Sequence, residues 1–93
     1  MLNVTEKAVM LLKAAKAARG AADAGIRIQR GVDPNQSGML TIGITISEFP
    51  EPRDEEMEVE GLRIYVEDAL VAPLDGRTLD VRNADEGPEL IFR

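Results

Sequence analysis

The chain has 93 residues and a formal net charge of −6, and it contains neither cysteine nor histidine. This length predicts one domain, residues 1–93, because smaller pieces would not bury a core. Because it has no thiolate and no imidazole, a single chain cannot form disulfides or catalyse reactions through cysteine or histidine. It also lacks the usual ligands for zinc, copper, haem and iron–sulfur clusters. No signal peptide and no apolar run of about 20 residues is present, so we expect a cytoplasmic protein.

The charges are unevenly spread along the chain. Residues 1–30 carry six basic and two acidic side chains, whereas residues 31–93 carry five basic and fifteen acidic ones. The negative balance disfavours non-specific binding of nucleic acid. Two interpretations of the asymmetry stay open: a solvated surface, or a polar face that docks a partner.

The N-terminal stretch predicts a short apolar lead and then an amphipathic helix. Met1–Val4 is apolar, Thr5 is a good N-cap, and the helix formers EKAVMLLKAAKAAR follow it. Gly20 is the predicted end of the helix. Helical spacing predicts a buried face that includes Val9, Leu12 and Lys16, with Lys7, Lys13 and Arg19 facing water.

Two alternating segments, Ile26–Arg30 and Met39–Ser47, predict strands on either side of the loop Gly31–Gly38. Function usually concentrates in a loop that is held by a rigid scaffold. The polar side chains of this loop that could bind a ligand are Asp33, Asn35, Gln36 and Ser37.

An acidic run follows the second strand. Phe49–Arg53 interrupts the strand pattern with two prolines, and the sequence DEEMEVEG then begins at Asp54. Its spacing lacks the Asp/Asn ladder and the central glycine of an EF-hand loop. We interpret the run 54–60 as a solvated acidic edge strand, and whether it binds cations stays open.

The remaining residues predict short strands joined by tight turns. Met57–Glu60 and Leu62–Glu67 form a hairpin around Gly61, with Leu62, Ile64 and Val66 facing inward and Arg63, Tyr65 and Glu67 facing outward. Asp68 is expected to cap a short helix that Pro73 ends. The segments predicted after it are the turn Leu74–Gly76, the strand Thr78–Arg82, the turn Asn83–Pro88 and the strand Glu89–Phe92.

This order of elements predicts an α+β protein. A run of short strands after one amphipathic helix favours a mostly antiparallel sheet, or a flattened barrel or sandwich, with the helix packed on it. An N-terminal strand precedes that helix.

Three stretches resemble the A-type iron–sulfur carrier family, the HesB/IscA/SufA-like domain. They are the opening LNVTEKAVMLLKAA, the strand GIRIQR with its loop ending in Ser37-Gly38, and the segment Val59–Arg82. The last contains Leu74-Asp75-Gly76, which is moderately specific in this context. The resemblance covers nearly the whole chain and implies the HesB-like fold.

The resemblance also implies a site of three cysteines, none of which is present. It places one before Ser-Gly, where this chain has Gln36, and two in a Cys-Gly-Cys that would follow ELIFR, where the sequence ends at Arg93. A carboxamide is a neutral, hard donor and does not replace a thiolate on an iron–sulfur cluster. We therefore interpret Gln36, Ser37 and Gly38 as a vestigial ligand loop, and we expect no cofactor and no metal.

The leading hypothesis is a non-catalytic binding or structural module, with a role in iron–sulfur cluster assembly left open. The resemblance implies a homodimer or larger homo-oligomer, and a protein partner in that pathway stays open. From the net charge and the lack of a long apolar run we expect no nucleic acid and no membrane. The candidate contacts are an exposed Tyr65 face, the Thr41/Thr45 face and the basic helix surface, unless these faces simply meet water.

Two other hypotheses complete the set. An enzyme could pair Asp75 with Asp80 or use Ser37 as nucleophile, but no histidine can activate Ser37, so we expect no catalysis. Asp75 is more simply a turn former, and Asp80, which alternates outward from Leu79 and Val81, is expected to face solvent. The alternative to the leading hypothesis is a small-ligand or hard-cation site in the loop 33–38, although such side chains commonly make turn bonds instead.

Overall fold

Seven strands and two helices form an α+β fold, in a computed structural model that describes residues 1–31 and 41–93. The expected class and the N-terminal strand before an amphipathic helix are confirmed. In chain order the elements are β1 (Asn3–Val4), α1 (Glu6–Ala18), β2 (Gly25–Gly31), β3 (Thr41–Ser47), β4 (Glu55–Val59), β5 (Leu62–Val66), α2 (Asp68–Leu74), β6 (Thr78–Ala84) and β7 (Gly87–Phe92).

The strands form two open, mixed sheets, and the described ranges contain no closed barrel. The larger sheet has the order β3-β2-β5-β4, and the smaller one has the order β1-β6-β7. The pairs β2/β3, β4/β5 and β6/β7 are antiparallel, whereas β1/β6 and β2/β5 are parallel. The parallel pairs join strands that are distant in sequence, so local alternation does not show them.

Helix α1 begins and ends where the sequence predicts. The hydroxyl of Thr5 accepts a hydrogen bond from the backbone N–H of Ala8 at 3.2 Å, and Gly20 takes the positive φ of 68° that ends the helix. Lys16 is buried with the apolar face, and its ammonium donates to the Ala24 carbonyl at 2.5 Å. This lysine thereby ties the connector after α1 to the helix.

The core lies between α1, α2, the inner face of the larger sheet and the apolar side chains of β6 and β7 in the smaller sheet. Ile26 and Ile28 of β2 face Ile64 and Val66 of the parallel strand β5 across the register. The other buried members of the cluster are Leu2, Ala8, Val9, Leu12, Leu62, Leu70, Leu74 and Leu79. The inward orientation predicted for the β5 aliphatics is therefore confirmed.

The prediction of an exposed Tyr65 face is wrong. Tyr65 does alternate to the outer side of the sheet, but only 2% of it is exposed. It lines a groove together with the connector after α1, at Ala21 and Ala24, and the turn at Phe49 and Pro50. These segments form a second layer outside the sheet, and alternation along β5 says nothing about that layer.

Helix α2 also departs from the prediction. It continues to Leu74 through Pro73, which lies in the last turn of this short helix. There the missing proline N–H removes only one intrahelical bond. The N-cap position is Glu67 rather than Asp68, and the Glu67 side chain makes no capping hydrogen bond. Gly76 has the expected positive φ, 78°.

The expected edge position of the acidic run is confirmed, because β4 is an outer strand of the larger sheet. Glu55, Glu56 and Glu58 are exposed, while Met57 packs against the core. The hairpin turn to β5 uses Glu60 and Gly61, both with positive φ, and the carbonyl of Glu60 accepts a hydrogen bond from the Lys13 ammonium.

We predict that Gly25→Ala lowers the free energy of unfolding by about 1–3 kcal/mol, the usual cost of overpacking. A Cβ at Gly25 would lie 2.6 Å from Cε2 of Tyr65, too close for the ring to keep its place. Urea denaturation followed by circular dichroism measures the loss. The loss of stability caused by Gly25→Ala should be smaller in a Tyr65→Leu background, which lacks the ring, and a double-mutant cycle measures this difference.

Gly43→Ala is the matched control. A Cβ there would lie no closer than 3.8 Å to Gln29, so this variant should stay within about 1 kcal/mol of the parent chain. Equal losses from the two alanine substitutions would contradict the assignment of Gly25 to the close packing of Tyr65.

Candidate functional site

The sequence-predicted ligand loop is carried by the β2/β3 hairpin. Its residues Gln36, Ser37 and Gly38, like Asp33 and Asn35, lie outside the described residues, so their expected roles stay predictions. The two strands pair without interruption from Gly25↔Ser47 to Gly31↔Thr41. Gly31 and Thr41, the described residues on either side of the loop, are therefore paired with each other.

An ion pair lies at the base of this loop, one residue before the last strand pair. The backbone N–H of Arg30 donates to Oε2 of Glu67 at 2.7 Å, and the Arg30 guanidinium donates to Oε1 at 3.2 and 3.3 Å. The pKa of Glu67 is lowered by the backbone N–H first and by the guanidinium second. The carboxylate thus continues the hydrogen bonding of β2 beyond the end of β5.

A second ion pair lies on the outer face of the larger sheet. The Arg27 guanidinium donates two hydrogen bonds to the Asp54 carboxylate, at 2.9 and 3.0 Å, and the Asp54 side chain is only 1% exposed. Asp54 also accepts from the backbone N–H of Glu51 at 2.9 Å. The hydrogen bond from Arg27 is the main cause that lowers the pKa of Asp54, and the same bond raises the pKa of Arg27.

The acidic run therefore separates into a structural residue and an exposed edge. Asp54 holds the turn 48–54 against β2, and its oxygens are already occupied by N–H donors. Within residues 1–31 and 41–93, no three carboxylates come together in a group that could hold a metal ion. The exposed glutamates of β4, which follow Asp54, form a solvated edge.

Asp75 and Asp80 have separate partners, which contradicts the idea that they pair. The Asp75 carboxylate contacts the N-terminal ammonium of Met1 at the surface. Asp80 accepts hydrogen bonds from Thr5 at 2.9 Å and from the Val81 N–H at 2.8 Å, and it forms an ion pair with Arg93 at 2.6 Å.

The expectation that Asp80 simply faces solvent is also wrong, because its side chain is 19% exposed and joins the start of α1 to the end of β7. The Val81 N–H first, and then the Thr5 hydroxyl, lower its pKa. Sequence reasoning missed this role because it treated Thr5 only as a helix cap and Asp80 only as an outward strand residue.

The two mixed sheets with one long helix and one short helix define a small α+β domain of a recognisable class. The solved structure of IscA with a [2Fe-2S] cluster superposes with a TM-score of 0.81 at 22% identity, over 100% of this chain and 84% of that one. SufA of Escherichia coli, involved in biosynthesis of iron–sulfur clusters, gives a TM-score of 0.78 at 17% identity, over 99% and 83%.

The solution structure of a protein from Aquifex aeolicus adds a TM-score of 0.77 at 18% identity, over 99% of this chain and 89% of that one. No family model and no curated protein matches the chain. At these identities the likeness establishes the fold. The fold expected from the HesB/IscA/SufA resemblance is therefore confirmed.

Neither described helix is long and apolar enough to cross a membrane.

We predict that Asp54→Asn lowers the free energy of unfolding by about 2 kcal/mol at neutral pH, within the range for hydrogen bonds to charged groups. The substitution removes the charge that Arg27 faces and leaves the turn 48–54 less firmly held. Urea denaturation at pH 7 measures the loss. Glu55→Gln, at an exposed neighbour, is the control and should change stability by no more than about 0.5 kcal/mol.

The same variant gives a test in acid. The folded-state pKa of Asp54 is lowered, so its stabilising contribution is present above the unfolded-state value of about 3.9 and is lost as the pH falls through the folded-state pKa. The parent chain should therefore lose more stability than Asp54→Asn between about pH 5 and pH 2. Parallel pH profiles for the two proteins would contradict this role of the ion pair.

Proposed function

We propose that this chain is a non-catalytic binding or structural module that uses the fold of the iron–sulfur assembly proteins and does not itself hold a cluster. The single observation that carries the proposal is this fold in a sequence of 93 residues without cysteine or histidine. Iron–sulfur clusters in proteins are held by cysteine thiolates, with histidine as the usual substitute. The structure of IscA with a [2Fe-2S] cluster is an example of a similar fold that does hold one.

The charged groups of the described residues support a structural role. The carboxylates of Asp54, Glu67 and Asp80, whose pKa values are lowered, are each bonded to donors that hold the fold together. A general acid or base needs a pKa near the working pH, and lowered values move these groups away from it. The proposal includes a cytoplasmic location, a homo-oligomer and a protein partner in iron–sulfur assembly.

Anaerobic reconstitution with iron and sulfide tests the proposal. We expect the purified chain to retain less than about one tenth of an iron per chain after desalting and to show no visible charge-transfer absorption, because no thiolate is available. IscA, treated in the same way, is the positive control for the reaction. A stoichiometric, coloured cluster on this chain would overturn the proposal.

The alternative, a small-ligand or hard-cation site in the loop 33–38, stays a prediction. Its test is the thermal unfolding midpoint with millimolar Mg²⁺, Ca²⁺ or Mn²⁺, since binding to the native state alone raises the midpoint. The matched variant is Asp33→Asn, which removes the loop's carboxylate and leaves a side chain of the same shape. A rise that this variant abolishes would favour the alternative, and no rise would count against it.

A further inference from the structure

The four outer strands of the two sheets differ sharply in how they are protected. Strand β4 carries three exposed glutamates, β1 is only two residues long, and β7 contains Pro88 and Glu89. Strand β3 has seven residues, TIGITIS, with no charge and no proline, and the described residues place no strand on its outer side. Natural proteins usually protect such an edge, because it presents a template for another strand.

The outward backbone groups of β3 can be identified from its neighbour β2. The carbonyl of Ile28 accepts from the Glu67 N–H, and the N–H of Arg30 donates to the Glu67 carboxylate, so even-numbered residues of β2 point towards β5. Odd-numbered residues of β2 therefore bond to β3, and in the antiparallel register their partners in β3 are also odd-numbered. The N–H and C=O groups at the outer edge belong to Ile42, Ile44 and Ile46, and no strand within residues 1–31 and 41–93 pairs with them.

We propose that this edge pairs antiparallel with β3 of a second copy of the chain, about a two-fold axis at Ile44. This register sets Ile44 opposite Ile44 and Ile42 opposite Ile46 of the other copy. Each of these facing pairs exchanges two N–H···O bonds, so the pairing uses every outward backbone group of the three isoleucines. The facing side chains are uncharged, and the half-buried isoleucines form one apolar row.

A groove beside the edge supports the same arrangement. It has a volume of about 390 Å³. Aliphatic side chains make up most of its lining, among them Leu12 of α1, Ile44 and Ile46 of β3 and Leu90 of β7, and Arg19 and Thr45 line it as well. The isoleucines of a second β3 would lie next to this groove on the inner face and would extend the core across the axis.

The charge distribution selects β3 over the other edge of the larger sheet. In the joined sheet the order is β4-β5-β2-β3 followed by its two-fold copy, so the two acidic β4 strands lie at opposite ends. Seven strand spacings separate them by about 34 Å, several times the Debye length of about 8 Å at physiological salt. Pairing through β4 would instead set glutamates against each other. The edge of β3 is then the surface through which the homo-oligomer of the proposed function forms, and in this respect the pairing rests on that proposal.

Analytical ultracentrifugation with charge-swap variants tests the pairing. At a concentration on the order of 100 µM, where a micromolar complex is populated, we expect a dimer of the parent chain. Residue 43 faces residue 45 of the other copy, so Gly43→Lys/Thr45→Lys sets like charges opposite each other. We expect the dissociation constant of the dimer to rise at least roughly tenfold in this variant. The same rise is expected for Gly43→Glu/Thr45→Glu.

Mixing the lysine and glutamate variants should restore a dimer, because the facing charges are then opposite. Thr45 is exposed and a Cβ at Gly43 meets only ordinary contacts, so both variants should fold, which circular dichroism checks. Glu55→Lys on β4 changes the net charge by the same two units as the lysine variant and should leave the dimer intact. A monomeric parent chain, or a dimer indifferent to both charge swaps, would overturn the inference. Neither outcome depends on cluster binding.

Discussion

The larger sheet depends on β2, which pairs antiparallel with β3 on one side and parallel with β5 on the other. Its inner residues Ile26 and Ile28 are buried in the same core cluster as residues of α1 and α2. Its outer residue Arg27 holds Asp54 and with it the turn before β4. The end of β2 carries the predicted ligand loop, with Arg30 fixed by Glu67. One strand therefore connects the core, the outer layer and the loop.

The outer layer explains why the larger sheet is buried on two sides despite its antiparallel hairpins. Antiparallel sheets commonly leave one face to water, and β4 does so with its glutamates. At β2 and β5, however, the turn 48–54 and the connector after α1 surround Tyr65, and Gly25 provides room for its ring. The Arg27–Asp54 pair holds that turn. Besides its contribution to stability, this ion pair fixes the position of the turn 48–54, which has few buried apolar side chains.

Local patterns in the sequence predicted the elements well and their long-range partners poorly. Thr5 as N-cap, Gly61 as hairpin turn and the acidic edge strand each follow from chemistry within a few residues. Tyr65 and Asp80 were assigned to solvent because alternation shows only which residues share a side. It does not show what covers that side, and their covers come from segments distant in sequence. The polar residues of the predicted loop were selected by their place between two strands, and Gln36 also by resemblance; all of them lie outside the described residues.

The core and the ion pairs of the described residues are formed by protein groups alone, so we expect the chain to fold without a metal cluster. Hydrogen exchange measured by NMR on chelator-treated protein, before and after anaerobic addition of iron and sulfide, tests it most directly. We expect the amides of β2 and β5 to be the most protected in the metal-free chain and their protection not to change when iron and sulfide are added. A metal-free chain without protected amides, or protection that rises strongly with iron and sulfide, would contradict it.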